Sequence, residues 1–284
     1  MGYNNQMKYC YHNGSIKSLD KASINIYDIG FLRGYAVFDY IKAYHGVPFL
    51  LPEHLRRLDH SAKRFGMKVP LSQKKIAEII DVLIKKNKEG MCAIRIVLSG
   101  GVGHGLDWDK KNPTFVILTE PLGIISENVY KKGASLITLP LDRFAPDTKH
   151  TNYSFAVANQ SKRKKAGAIE ILYTLDGYIR EASTSNVFIV KNNKLITTEN
   201  SILHGITRNL IFSLARREFD VSQCNITLKE LYAADECFIT ATNKEVLPIV
   251  KVDGKVIGKG AVGPVTKRVA TLFEESVRKI IKKN

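Results

Sequence analysis

The chain has 284 residues, 44% of them hydrophobic and 25% charged. That balance excludes wholesale disorder and suits one large or two modest globular domains. No run approaches the roughly eighteen uninterrupted apolar residues of a membrane span, and the N-terminal stretch lacks an apolar signal core, so the expected location is the cytoplasm. The 43 Lys and Arg exceed the 27 Asp and Glu to give a formal charge of +16, a balance compatible with nucleic acid, acidic lipid or anionic metabolites. Cys10, Cys92, Cys224 and Cys237 stand far apart with no CxxC pair and read as reduced thiols.

In chain order, alternation around Asn13-Gly14 predicts a hairpin. Ala36 to Leu51 reads as strand, His45-Gly46 turn and second strand. Pro52-Glu53 then opens a helix with Leu55, Leu58, Ala62 and Phe65 on one face, and Ser72 caps another carrying Ile76, Ile79, Ile80, Leu83 and Ile84. Strands follow at Ala93–Leu98 and Thr114–Thr119, separated by the glycine-rich segment 99–105. Glu120-Pro121-Leu122-Gly123 reads as a linker. It divides an N-terminal α+β domain (1–119) from a C-terminal domain (127–284), with 120–126 between them. The second half carries strands near 134–139, 169–175, 178–180, 186–190 and 194–197. Helices are expected over about 152–166, 207–219 and 264–282. Strands are grouped rather than alternating with helices, which makes the chain α+β in two lobes.

Several segments have side chains suited to chemistry. The basic runs at 85–88, 162–165 and 278–283 lie at helix ends, where cations complement the helix dipole. No aromatic residues interleave with them, so they read as solvated faces rather than a nucleic-acid surface. The loop at 99–105 lacks the Lys-Ser/Thr of a phosphate loop; it reads either as a mobile turn or as a flexible loop beside a substrate pocket. Lys149 follows a strand and precedes a helix. A lone lysine is usually a surface residue, but a desolvated one becomes a nucleophile able to form a Schiff base. Glu181 precedes four small polar residues, either a polar turn or a carboxylate beside space for a protonated ring nitrogen. Gly205-Ile206-Thr207 opens a helix, as an ordinary cap or as an anion site. Thr240 to Asn243 form a hydroxyl- and amide-rich turn. Arg56 and Arg57 lie in a helix, where one can give a forked contact to phosphate. Together these are the parts of a pyridoxal-phosphate site.

The ordered segments VFDYIKAYHG (37–46), EHLRRLDHSAKRF (53–65), TKHTNY (148–153), GYIREASTSNVFIV (177–190), ILHGITRNLI (202–211), LYAADECFITATNKEVLPI (231–249) and VDGKVIGKGAVGPVTKRV (252–269) resemble the class IV, fold type IV, pyridoxal-phosphate aminotransferases over nearly the whole chain. That group includes branched-chain and D-amino acid aminotransferases and aminodeoxychorismate lyase. The resemblance implies a two-lobed α+β fold with pyridoxal 5'-phosphate in the interdomain cleft. It also implies a homodimer that exchanges an amino group between an amino acid and a 2-oxo acid such as 2-oxoglutarate, with no nucleic-acid or membrane partner and no metal. Lys149 matches the Schiff-base lysine and Glu181 the carboxylate on the ring nitrogen. Arg57, Ile206, Thr207 and Thr242 match phosphate contacts. Leu203 matches a residue packed on the ring, Tyr153 a tyrosine near the ring oxygen, and Asn186 a support for the Glu181 strand.

Substrate contacts are less uniform within that group. Branched-chain enzymes usually read VFEGIR, where this chain has Val37 to Lys42 with bulky Tyr40 in place of glycine. Ile94-Arg95 followed by Gly100 to Gly105 looks like the branched-chain pattern. D-amino acid enzymes carry tyrosine where Phe38 stands and an arginine and histidine in the 99–106 loop, of which only His104 is present. Phe38, Tyr40, Lys42, Arg95, His104 and Asn243 are therefore the expected substrate-side residues. A branched-chain-like substrate is favoured, with a D-amino acid transaminase or a lyase as alternatives.

Overall fold

The computed structural model describes residues 8–88 and 90–282, so Lys283 of the basic tail and the first seven residues lie outside the described part. The chain forms two compact units. Of the described residues, one unit holds 8–123 together with Thr148–Asn152, and the other holds Ile124–Asp147 and 153–282.

In the first unit, β1 (Tyr9–His12) and β2 (Ser15–Ser18) make the hairpin at Asn13-Gly14, both turn residues having positive φ. Helix α1 (Ile29–Arg33) is capped by Asp28, whose carboxylate accepts from Gly30 N. Strand β3 (Ala36–Tyr44) follows, then the two-residue β4 (Val47–Pro48), α2 (Leu51–Arg64), α3 (Gln73–Asn87) and β5 (Cys92–Ser99). A small hairpin, β6 (Gly103–His104) with β7 (Asp107–Trp108), precedes β8 (Thr114–Glu120). The strand expected to reach Leu51 stops at Pro48 because Leu50 turns left-handed (φ 52°) and tips the chain into α2. The antiparallel sheet runs β2-β1-β8-β5-β3-β4. Alternation divides its two faces. Val37, Ile41, Ile94, Ile96, Leu98, Phe115 and Ile117 pack under α2 and α3 with Leu55, Leu58, Ile76, Ile80 and Leu83. Each such buried side chain contributes roughly 1.5–3 kcal/mol. The intervening residues, Phe38, Tyr40, Lys42, Arg95, Val97, Val116, Leu118 and Glu120, form the opposite face, and all but Phe38 retain partial exposure.

In the second unit, α4 (Glu127–Lys132) leads into β9 (Ala134–Pro140), α5 (Ser154–Ala158) and α6 (Gln160–Lys165). The single helix expected over 152–166 is broken at Asn159, whose side chain donates back to Phe155 O at 2.9 Å and competes with helix continuation. Next come β10 (Glu170–Leu175), β11 (Tyr178–Ala182), β12 (Asn186–Lys191), β13 (Lys194–Thr197), α7 (Ile206–Ala215), β14 (Val221–Gln223), β15 (Ile226–Thr227) and α8 (Leu228–Tyr232). The chain closes with β16 (Glu236–Ala241), β17 (Glu245–Val252), β18 (Lys255–Val256) and α9 (Pro264–Ile281). The sheet order is β14-β13-β12-β16-β17-β9-β10-β11-β15, with β18 on β17. The β17–β9, β9–β10 and β13–β14 pairs are parallel and the others antiparallel. Leu172, Val187, Ile189, Ile239, Leu247 and Ile249 anchor its core. No helix among the described residues is long and apolar enough to cross a membrane.

Candidate active site

Lys149 sits on a five-residue strap that pairs with the start of β3. Phe38 N donates to Lys149 O at 2.9 Å, Thr151 N donates to Ala36 O at 3.0 Å, and Val37 bridges His150 antiparallel. Helix α2 fixes the other side, since Lys149 N donates to Ser61 Oγ at 3.0 Å. The strap is thus held by main-chain bonds on two elements, and the Lys149 ammonium lies 4.5 Å from the Phe38 ring centroid.

One turn along α2 from Ser61 is Arg57. Its Nε and Nη2 donate to Asp39 Oδ2 and Oδ1, each at 2.8 Å. His54 Nδ1 lies 2.6 Å from Asp39 Oδ1, and Tyr40 N donates to the same oxygen at 2.7 Å. Burial would raise the Asp39 carboxyl, but the Arg57 guanidinium and His54 hold it well below the usual carboxylate range. Burial pushes His54 down against the pull of Asp39. Asp39 therefore fixes the Arg57 fork by two of its three nitrogens; Nη1 makes no hydrogen bond among the described residues.

On the open sheet face, Arg95 is bidentate to Glu120 (2.6 and 2.9 Å) and lies over the Tyr40 and Phe38 rings at 5.0 and 5.4 Å. Burial, aided by Glu120, pushes the Tyr40 phenol up to about 12. Lys42 lies 4.4 Å over the Tyr44 ring. His104 is exposed at the tip of the β6–β7 hairpin.

The second unit gathers another set. Glu181, at the end of β11, is buried. It accepts from Leu203 N at 3.1 Å and Asn186 Nδ2 at 3.5 Å, and Arg143 Nη1 forms an ion pair with it. Asn186 Nδ2 also donates to Leu203 O at 2.7 Å. Gly205 packs so closely that a Cβ there would collide with Asn186 Oδ1, so Asn186 braces the 203–205 loop against the Glu181 strand. That loop delivers the N-terminus of α7, where Gly205 has no side chain to accept the first N–H groups and Thr207 is buried. Burial pushes Tyr173 up to about 12, opposed by Arg143 and aided by Tyr153, Glu170 and Glu181, which places all of these in one electrostatic neighbourhood. Thr242 and Asn243 occupy the β16–β17 turn, half-buried. Just before it, Thr240 pairs with Asn186 across β16–β12, and its buried Oγ1 has no hydrogen-bond partner among the described residues.

The features of the second unit fit a group that is anionic at one end and carries an N–H at the other. Within the second unit, the uncapped N-terminus of α7 suits a phosphate; within the first, the oriented Arg57 guanidinium suits an anion. A buried carboxylate paired with Arg143 suits a protonated ring nitrogen. Sequence reasoning missed Arg143 and the Asp39–His54 partnership. Arg143 lies in an irregular loop with no periodicity to mark it. Asp39 did leave a signal, as a carboxylate on the core-facing side of a strand demands a cationic partner.

The sequence profile of the amino-transferase class IV family matches residues 36–252. The chain belongs to the class IV aminotransferases. Within this family it is 35% identical, over 93% of its length and 95% of the relative's, to a Methanocaldococcus jannaschii protein provisionally named a branched-chain-amino-acid aminotransferase. It is 31% identical, over 93% of its length and 95% of the relative's, to a Bacillus licheniformis D-alanine aminotransferase. In structure it resembles the Escherichia coli branched-chain amino acid aminotransferase (TM-score 0.88, 28% identity, 95% of this chain and 94% of that chain). It is equally similar to a T.th. branched-chain amino acid aminotransferase solved with pyridoxamine 5'-phosphate (TM-score 0.88, 29% identity, the same shares of each chain). This aminotransferase therefore has the fold type IV architecture expected from its sequence.

Proposed function

We propose that this aminotransferase moves the amino group of a branched-chain L-amino acid to a 2-oxo acid, using pyridoxal 5'-phosphate. The observation that carries this reading is Lys149, fixed through its main chain to β3 and α2 with its ammonium over Phe38. Pyridoxal phosphate, when bound, supplies an aldehyde for amine exchange and a ring that accepts electrons. In this reading Lys149 is the covalent anchor and moves the proton at the substrate Cα. Glu181, aimed by its ion pair with Arg143, holds the ring nitrogen protonated. Arg57, Thr242 and the N–H groups of Ile206 and Thr207 bind the phosphate. Leu203 packs on the ring, Tyr153 approaches its oxygen, and Asn186 steadies the Glu181 side. Phe38 and Tyr40, beside the apolar Val97, Val116 and Leu118 of the same sheet face, receive an aliphatic side chain. Arg95, Lys42, His104 and Asn243 are the polar groups assigned to substrate carboxylates. Among them, Arg95 forms an ion pair with Glu120.

The four cysteines are free thiols, in keeping with a reducing cytoplasm. A homodimer is part of the same reading. Ile24, Ile26, Tyr27, Phe31, Val102 and Leu106 are exposed apolar residues. The two segments that carry them are tied by Ile29 N to Gly101 O (2.9 Å) and Gly103 N to Tyr27 O (3.1 Å), giving one fixed apolar surface of the kind that marks association. Sedimentation of the native protein and of Phe31→Asp tests it; a monomeric native protein overturns it.

The functional test is a half-reaction. The visible spectrum of the purified, cofactor-loaded enzyme is followed on adding single L- and D-amino acids without an oxo acid. Conversion by L-leucine, L-isoleucine or L-valine supports the proposal. Conversion by D-alanine or D-glutamate alone replaces it with a D-amino acid transaminase. Lys149→Ala is expected to lose nearly all turnover, and full activity in that variant refutes the site.

A further inference from the structure

The second unit holds a buried ion pair that the roles above leave unused. Glu170 opens β10 and is 3% exposed; Lys244, in the β16–β17 turn, is 8% exposed. Lys244 Nζ lies 2.9 Å from Glu170 Oε1 and donates to Thr184 Oγ1 at 2.9 Å. The Glu170 carboxylate also accepts from three consecutive residues: Ser183 Oγ (3.2 Å), Thr184 N (2.7 Å) and Ser185 Oγ (2.5 Å).

We propose that Glu170 and Lys244 are positioning residues that clamp the 182–185 turn to the 241–244 turn, and so set the spacing between Glu181 and Asn186 on one side and Thr242 and Asn243 on the other. The inference rests on the functional reading above, which assigns those four residues to cofactor and substrate.

The geometry supports a positioning role over simple cohesion. The 182–185 turn is a tight reversal between β11 and β12, closed by Ala182 N donating to Ser185 O at 2.8 Å. Its first residue follows Glu181, and its last precedes Asn186. The partner turn is closed by Lys244 N donating to Ala241 O at 3.2 Å, and the next residue, Glu245, has a left-handed φ of 56°. Tyr130 Oη adds a bond to Lys244 O at 3.2 Å. Both turns are short and polar, and neither has an apolar core of its own. Two opposite charges taken out of water hold strands together no better than packed apolar groups of equal volume. What this pair adds is direction: a carboxylate that takes three donors from successive residues fixes their backbone, and a lysine fixes the second turn to the first.

That distinction sets the experiment. Glu170→Gln, Lys244→Met and the double variant are made in the cofactor-loaded enzyme. For each, the melting temperature, kcat, KM for L-leucine and the dissociation constant for pyridoxal phosphate are measured. Each single variant leaves a mismatched buried group and loses melting temperature. The double variant removes both charges and recovers most of that loss. With a clamp, it still shows KM and the pyridoxal phosphate dissociation constant raised about tenfold, a modest share of what misplaced binding groups cost, with kcat within about threefold. Return of both constants to within about twofold of the native values, together with the melting temperature, makes the pair purely structural and overturns the proposal. Thr184→Val gives an answer even where the double variant does not fold, because it removes the direct bond from Lys244 to the 182–185 turn without stranding a charge. A rise of about threefold in KM at unchanged melting temperature is expected, and an unchanged KM refutes the clamp. The dissociation constant requires no turnover. A native enzyme that binds pyridoxal phosphate but transaminates nothing therefore refutes the functional reading while still judging the clamp.

Discussion

The two units each contain a buried arginine–carboxylate pair, and the pairs run in opposite senses. In the first, Asp39 is enclosed, with both oxygens taken by Arg57, His54 and a main-chain N–H, while Arg57 keeps one nitrogen outside the fork. In the second, Arg143 orients Glu181, and the carboxylate is the group assigned to the chemistry. One interaction type therefore serves as a mount for a cation in one place and for an anion in the other.

Changing the mount in the first unit should show up mainly as instability. Asp39→Asn strands the Arg57 charge and His54 in the protein interior and should cost about 3–5 kcal/mol, read as a lowered melting temperature. Retained stability with abolished turnover would reverse the comparison. In the second unit, Glu181→Gln alters the working end, so turnover should fall on the order of 10²-fold with a smaller change in melting temperature. An unchanged rate would show that another residue protonates the ring.

The acid limb of stability sharpens the contrast further. Asp39 and Glu170 are both held below their ordinary values against the opposing effect of burial, chiefly by Arg57 and Lys244 respectively. Their contribution is complete above the unfolded carboxyl values, about pH 4–4.5, and is lost as pH falls through the lower folded values. Asp39→Asn should flatten this limb in an acid titration followed by circular dichroism; an unaltered slope would remove Asp39 from it. The smallest effect belongs to Arg95–Glu120, where each side chain is about a third exposed (33% and 29%). Glu120→Gln should change stability by under about 1 kcal/mol, and a larger loss would mark this pair as a third mount.

The sequence is most legible where periodicity is long. The helices carrying Leu55 and Leu58 and Ile76 to Ile84 begin within a residue of their expected starts, and the one carrying Val265 to Val277 lies within a residue of both expected limits. Helices α1, α4 and α8 are not readable because five or six residues make under two turns and show no period. Of the site, the Lys149, Glu181 and Thr207 segments stand out through their composition and order. Arg143 does not, because what brings it to Glu181 is tertiary: the irregular stretch between β9 and α5, which no local pattern predicts. The strap itself reads from sequence as part of the second unit, yet its main chain is committed to β3 and α2.

That strap also bears on how the protein is made. Lys149 is bonded to Ser61 across 88 residues of sequence, and contacts of such long range are slow to form because the intervening loop must close first. A ribosome that has released α2 and β3 has released an edge that stays open until residue 152 follows. Lys149 is thus seated late in folding, and a nascent or truncated chain ending before it carries the sheet without that amine.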